Sequence, residues 1–365
     1  MVNRDLYVGL MSGTSLDGAD AVLVDFSQPP FKVISHAHVA FDPALRDALL
    51  ALTVSGPDEI EQAGRLGRVL AQRYADAVKQ VLAHAGTDAS NVKAIGCHGQ
   101  TVRHRPGQGF TLQIGNPALL AELTGIAVVA DFRSRDVAAD GQGAPLVPAF
   151  HAVAFERASR PCAVVNIGGI ANVTLMPKAS PILGFDTGPG NCLMDMWVQR
   201  HTGKHFDAAG AWASGAKPLP GLRAKMLEEP FFLKPAPKSS GRELFNDAWL
   251  RSCLTGSENA QAVQATLLEL TVETISRSIE AALPATSRVI VCGGGAYNDA
   301  LMRRLSERLT PRPVDTSSKF GLDPDQVESV AFAWLAKRCI EGQPGNLPEV
   351  TGAKGLRTLG AIYPR

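Results

Sequence analysis

Four short glycine clusters, each placed where a β-rich run ends, constrain this chain more than any other feature. They are GLMSGTSLDG (9–18), VNIGGIANVT (165–174), GFDTGPGN (184–191) and VIVCGGGAYN (289–298). Glycine has no Cβ, so a strand end rich in it lets backbone approach a ligand closely. In the first cluster, Thr14 and Ser15 are placed to offer hydroxyls and amides to phosphate oxygens, and Asp17 to hold Mg²⁺ through water. The same residues also suit an ordinary hairpin turn whose Asp and Ser satisfy local backbone groups. The cluster lacks the lysine of a Walker loop, and the fourth is not GxGxxG, which disfavours a dinucleotide fold.

Around these clusters the apolar pattern predicts the same order of elements twice. Leu6–Leu10, Ala19–Phe26 and Phe31–Phe41 read as a three-stranded antiparallel meander. A helix then starts near Ser55–Glu59, carries Ile60, Ala63, Leu66, Leu70, Tyr74, Val78 and Val81 on one face, and stops at Gly86. Strands follow at Val92–Cys97 and Ile126–Ala130. Later, Ala163–Ile167, Asn172–Met176 and Ile182–Phe185 read as strands and Ala260–Leu283 as a long helix. Arg288–Cys292 is a strand, and Ala300–Leu309 and Val327–Ile340 are helices; Pro177–Pro181 and Lys234–Gly241 are loops. Two halves in one order imply a duplicated α/β architecture with a cleft between them.

Composition removes several classes of function. The chain has 365 residues, and Lys plus Arg (36) against Asp plus Glu (35) leaves +1 with no long run of either sign. A nucleic-acid binder needs a concentrated basic face, and none is visible. No run reaches the ~18 apolar residues of a membrane span. The apolar stretch after Arg4 breaks at Ser12-Gly13-Thr14, too short for the core of a signal peptide. The six cysteines stand at least 30 positions apart, which reads as buried thiols in a reducing, cytoplasmic setting.

The hairpin loop, second hairpin loop and strand–GGG–helix together resemble the superfamily of sugar kinases, heat-shock chaperone ATPases and actin. Within it, GLMSGTSLDGAD (9–20), CHGQTVRHRP (97–106), ADFRSRDVAADGQGAPLVPAFH (130–151), VNIGGIANVT (165–174), GFDTGPGN (184–191), CGGGAYN (292–298) and ESVAFAWLA (328–336) resemble the anhydro-N-acetylmuramic acid kinase family. Two departures are visible. Asp140 stands where a second glycine is expected before Gln142, and Ser329 stands where alanine is common.

The resemblance implies a duplicated actin-like ATPase fold of two domains, each a mixed sheet flanked by helices, with the active site in the interdomain cleft. The expected domains are 1–135, joined by 340–365, and 136–339. The implied activity is ATP- and Mg²⁺-dependent: water opens the 1,6-anhydro bridge while O6 is phosphorylated, in cell-wall recycling. ATP is expected on Gly13, Thr14, Ser15, Leu16, Asp17, Gly18, Ala19, Asp20, Gly168, Gly169, Asn172, Gly293, Gly294 and Gly295, with Asp17 on Mg²⁺. A homodimer is expected on the same ground.

Opening the bridge needs a carboxylate to take the proton of the attacking water, and Asp186 is the choice. The alternative is an Asp capping the helix that starts near Asn191. Glu328 either contacts the sugar or complements a helix dipole. The lactyl carboxylate calls for a guanidinium fork, Arg133 or Arg135, unless these pair with Asp131 or Asp136. His98 and Gln100 are expected on the sugar side, and His98 has no partner at metal-ligand spacing. His104 and His151 have no assigned role. Competing functions are a nucleotide-driven switch or assembly ATPase, a kinase of another amino sugar, and a glycosidase using Asp186 with Glu328.

Overall fold

The computed structural model describes residues 4–13, 16–241 and 244–365. The chain divides into two compact units, Met1–Ala154 with Gln326–Arg365, and Phe155–Asp325. The sequence reading divides it after 135 and after 339 instead. The difference comes from two helices, Val147–Ala154 and Val327–Ile340, which pack on each other, the second also lying along the first sheet.

In the first unit β1 (Leu6–Met11), β2 (Gly18–Asp25) and β3 (Lys32–Ala40) form the expected antiparallel meander. β4 (Val92–Cys97) lies parallel to β1, and β5 (Gln100–Arg105) and β6 (Phe110–Ile114) make a separate two-stranded ribbon. β7 (Val128–Ala130) runs parallel to β4, and Ala361–Tyr363 adds an antiparallel edge strand beyond it. In the second unit β8 (Cys162–Ile167), β9 (Ile170–Met176) and β10 (Leu183–Pro189) repeat the meander. β11 (Arg288–Cys292) lies parallel to β8, and β12 (Val314–Thr316) parallel to β11. The orders β3-β2-β1-β4-β7 and β10-β9-β8-β11-β12 therefore match in sequence and direction. This is the duplicated actin-like arrangement, with two mixed sheets flanked by helices.

Local chemistry explains the helices that flank the sheets. Helix Glu59–Ala85 carries Glu59 and Glu61 in its first turn, where acids complement the dipole. It ends at Gly86, whose left-handed φ of 59° lets Gly86 and Thr87 donate to Ala83 and Leu82 carbonyls. Leu70, Tyr74, Val78 and Val81 are buried as the spacing predicts, but Ile60 is 89% exposed. In the second unit Asn259 caps helix Ala260–Ala282, its Oδ1 accepting from Gln261 and Ala262 amides.

Two glycines set how closely helix Val327–Ile340 lies on the first sheet. A Cβ on Gly9 would stand 1.8 Å from the Ser329 carbonyl oxygen, and one on Gly96 2.0 Å from that of Phe332. Gly9 and Gly96 are register partners on β1 and β4, so together they form a bare strip of sheet. The helix seats its backbone on that strip and brings Glu328, in its first turn, to the loop-bearing end of β1. None of the described helices is long and apolar enough to cross a membrane.

Candidate active site

In the first unit the strand ends bring His98, Gln100 and Arg133 together. His98 directly follows β4, is buried, and its ring lies 4.7 Å from that of Phe332. Its Nε2 accepts from Arg133 Nε at 3.1 Å and Nη2 at 2.9 Å, so that nitrogen carries no proton. Burial, and then the Arg133 charge, hold His98 well below the ordinary imidazole range. Arg133 Nη1 also donates to the Gly143 carbonyl at 2.8 Å. The guanidinium is thus aimed from two sides, while Arg135 is exposed on the short helix Ser134–Val137. The Asp136 carboxylate accepts from Gly143 N, Asn346 Nδ2 and Thr351 Oγ1, and Asp131 from Ser134 Oγ.

Gln100 ties this group to the first glycine cluster, its Nε2 donating to the Gly13 carbonyl at 3.3 Å. Among the described residues nothing donates to its buried Oε1, an acceptor that a ligand hydroxyl would satisfy. Leu16 is buried with φ 58° and donates to Gly13, while Asp17 is exposed at the start of β2. Gly18 and Ala19 are buried strand residues, and Asp20 pairs with His38 at 2.7 Å. Thr14 and Ser15 lie outside the described residues. A recess of about 240 Å³ opens beside His98, lined also by Thr111, Gln113, Asp131 and Ser134. Thr111 and Gln113 come from the β5–β6 ribbon, which the sequence reading misses. The alternation Thr111-Leu112-Gln113 is the one signal that could have marked it.

The second unit gathers the remaining residues. Asp186 lies inside β10, in register with Asn172 on β9, which is in register with Asn166 on β8. Directly opposed residues point to one face, so these three polar side chains form a row across the sheet. The row excludes the capping alternative, because Asp186 is a strand residue ahead of helix Cys192–Thr202. The segment after the 230–233 turn runs alongside. Asp186 N donates to the Lys238 carbonyl at 3.0 Å, and Ser240 N donates to Asp186 Oδ2 at 2.8 Å. Sequence reasoning leaves 234–241 as a plain loop and misses this support.

The glycines of this unit do different things. Gly168 and Gly169 carbonyls accept from the amides of Gly190, Asn191 and Cys192, which fastens the helix start to the β8–β9 turn. Gly293 has φ 79°, and a Cβ there would reach 2.3 Å from Asn166 Oδ1; one on Gly295 would reach 2.4 Å from Ile167. Those two are required by packing. At Gly294 the nearest atom to a Cβ is Asn191 Nδ2 at 3.9 Å, and at Gly168 it is the Ile170 carbonyl oxygen at 3.7 Å. Packing does not require these two glycines, and the space beside them is open.

The anhydro-N-acetylmuramic acid kinase family model matches residues 5–365. The chain belongs to that family. Proteins with the same family name are similar to it over nearly their whole length. The one from Nitrosomonas europaea is 51% identical over 360 residues, covering 98% of this chain and 99% of that protein. The Variovorax paradoxus protein is 53% identical over 371 residues, covering 99% of each. The Pseudomonas putida protein is 52% identical over 361 residues, covering 98% and 99%. Membership in the anhydro-N-acetylmuramic acid kinase family makes this chain a phosphotransferase.

Proposed function

We propose that the chain uses ATP and water to convert anhydro-N-acetylmuramic acid into N-acetylmuramic acid 6-phosphate and ADP. The observation that carries the mechanism is the placement of Asp186. Its carboxylate is held by the Ser240 amide in a polar row, next to glycine turns with open space above them. Water attacks the anomeric carbon, and Asp186 accepts its proton as the carbon–oxygen bond of the bridge breaks. The oxygen released from that bond, O6, attacks the γ-phosphorus, and ADP leaves. Bridge opening and phosphorylation are one coupled event, since O6 gains nucleophilicity only as the bridge opens.

The remaining residues bind and orient. Amides and bare backbone at Gly13, Gly168, Gly169 and Gly294 receive the nucleotide, with Asn172 beside them. His98 and Gln100 face the sugar hydroxyls, Arg133 takes the lactyl carboxylate, and Glu328 contacts the ring. Among the described residues no three His, Cys, Asp or Glu side chains gather into a metal cage. Mg²⁺ is ordinarily held by one or two carboxylates, phosphate oxygens and water, a mode that exposed Asp17 fits. When bound there, the ion would neutralise phosphate charge.

All six cysteines are buried thiols outside any disulfide, which supports a reducing compartment such as the cytoplasm, with cell-wall recycling as the setting. We carry a homodimer as part of the same proposal. The test is incubation with ATP, Mg²⁺ and the anhydro sugar, followed by mass spectrometry. The expected product gains the elements of one water and one phosphoryl group. ATP hydrolysis without sugar turnover would favour a switch ATPase, and bridge opening without ATP a glycosidase.

A further inference from the structure

Asp136 is the most enclosed carboxylate in the described chain, with 0% exposure, and the mechanism above does not use it. Three donors converge on it. Gly143 N reaches Oδ2 at 2.8 Å, while Asn346 Nδ2 and Thr351 Oγ1 each reach Oδ1 at 2.8 Å. Two of these donors stand more than 200 positions away, in the C-terminal segment. That segment grips the same loop twice more, through Gln142 N to the Thr351 carbonyl and Lys354 N to the Ala139 carbonyl, both at 2.7 Å. Gly141 is required here, because a Cβ would lie 2.2 Å from Asp136 Oδ2. The loop so fixed ends at Gly143, whose carbonyl holds Arg133 Nη1 at 2.8 Å.

We propose that Asp136 is a positioning residue for substrate recognition: it clamps loop 139–143 to the C-terminal segment and thereby holds Arg133 in the orientation that accepts the sugar's carboxylate. The proposal rests on Arg133 binding that carboxylate. Asp136 touches neither the sugar nor ATP, so its effect passes through the Gly143 carbonyl to the guanidinium. Only a carboxylate satisfies the three converging donors. An amide would turn its own N–H₂ toward one of them.

The experiment is calorimetric binding of the anhydro sugar and of its methyl ester, which masks the carboxylate, to the full chain. Asp136→Asn should weaken binding of the acid by about tenfold or more while the ester binds as to wild type, the size expected for a charge-assisted pair losing its geometry. Thr351→Val, which removes one donor far from the sugar, should show the same acid-selective loss to a smaller degree and covers the case in which Asp136→Asn does not fold. Arg133→Lys separates the two readings. Acid-selective loss in Arg133→Lys but equal or no loss in the other two variants would overturn the positioning role alone. No acid-selective loss in Arg133→Lys would overturn the Arg133 assignment and the proposal with it.

Discussion

The two units share one strand order and one set of strand directions, yet at matching strand positions they use glycine differently. In the first, Gly9 and Gly96 sit inside β1 and β4, and a helix backbone fills the space their missing Cβ atoms leave. In the second, the residues at the matching places are Val165 and Val291, and the glycines at 168–169 and 293–295 lie beyond the ends of β8 and β11. There, two of them border open space. The first pattern is a packing device. In the second, Gly168 and Gly294 leave backbone bare, and the surroundings of the absent Cβ tell the two uses apart.

The largest expected effects test this contrast directly. Gly9→Val or Gly96→Val would push a side chain into a helix carbonyl closer than any real contact, so backbone must move. A loss above ~4 kcal/mol is the scale for such overpacking, enough to abolish cooperative unfolding. Gly294→Val should keep a wild-type melting curve and lose nucleotide binding by calorimetry. If Gly294→Val also unfolds the chain, or binds ATP normally, the contrast between the two units fails.

Next in size is the base. Asp186→Asn keeps shape and loses the proton acceptor, and a fall in kcat of ~10²–10⁴ is expected with sugar and ATP binding retained. Near-normal turnover would shift the role to another carboxylate, with Glu328 the first to test.

Acid should separate the units by a smaller margin. Two buried histidines, His98 and His151, and the half-buried His104 lie in the first unit. His98 is held well below its ordinary range, His104 is pushed down to about 4 by burial and then the Arg133 charge, and His151 to about 3 by burial. At His104 and His151 the unfolded chain takes up protons near pH 6.5, while the folded one does so only near 4 and 3. The stability these histidines contribute is therefore full above about pH 6.5, falls as pH drops toward 4, and is lost below the folded values. Hydrogen exchange at pH 7 and pH 5 should show protection lost first in 4–154. Earlier loss in 155–325 would contradict this.

The smallest effect is expected at Asp140. It stands with φ 63°, a conformation glycine adopts freely and Asp tolerates, and its carboxylate pairs with Lys354 at 2.6 Å on an exposed surface. Relief of the left-handed cost offsets the added chain entropy, so Asp140→Gly should change stability by less than about 1 kcal/mol. A larger loss in denaturant titration would mean that Asp140 has a role of its own.

Much of this was legible in the chain because local chemistry and tertiary fold agree. The β1–β3 meander, the helix ending at Gly86, the repeat of the order and the glycine clusters all carry short-range signals. The β5–β6 ribbon does not, since Arg103, His104 and Arg105 interrupt any apolar run on a half-exposed hairpin. The strands Val314–Thr316 and Ala361–Tyr363 are too short to show a period. The unit boundary shifted because the bare strip of Gly9 and Gly96 decides where helix Val327–Ile340 belongs. Asp136 and the support of Asp186 by Ser240 join residues far apart in sequence, and no local pattern announces them.

The central claim is that water attacks the anomeric carbon while the freed O6 takes the phosphate. The most direct measurement is a single turnover in ¹⁸O-labelled water with ATP, Mg²⁺ and the anhydro sugar, with the product fragmented by mass spectrometry. The account requires one ¹⁸O, on the anomeric hydroxyl, and none in the phosphate ester. Label in the phosphate, or a phosphorylated product whose anhydro bridge is intact, would contradict it.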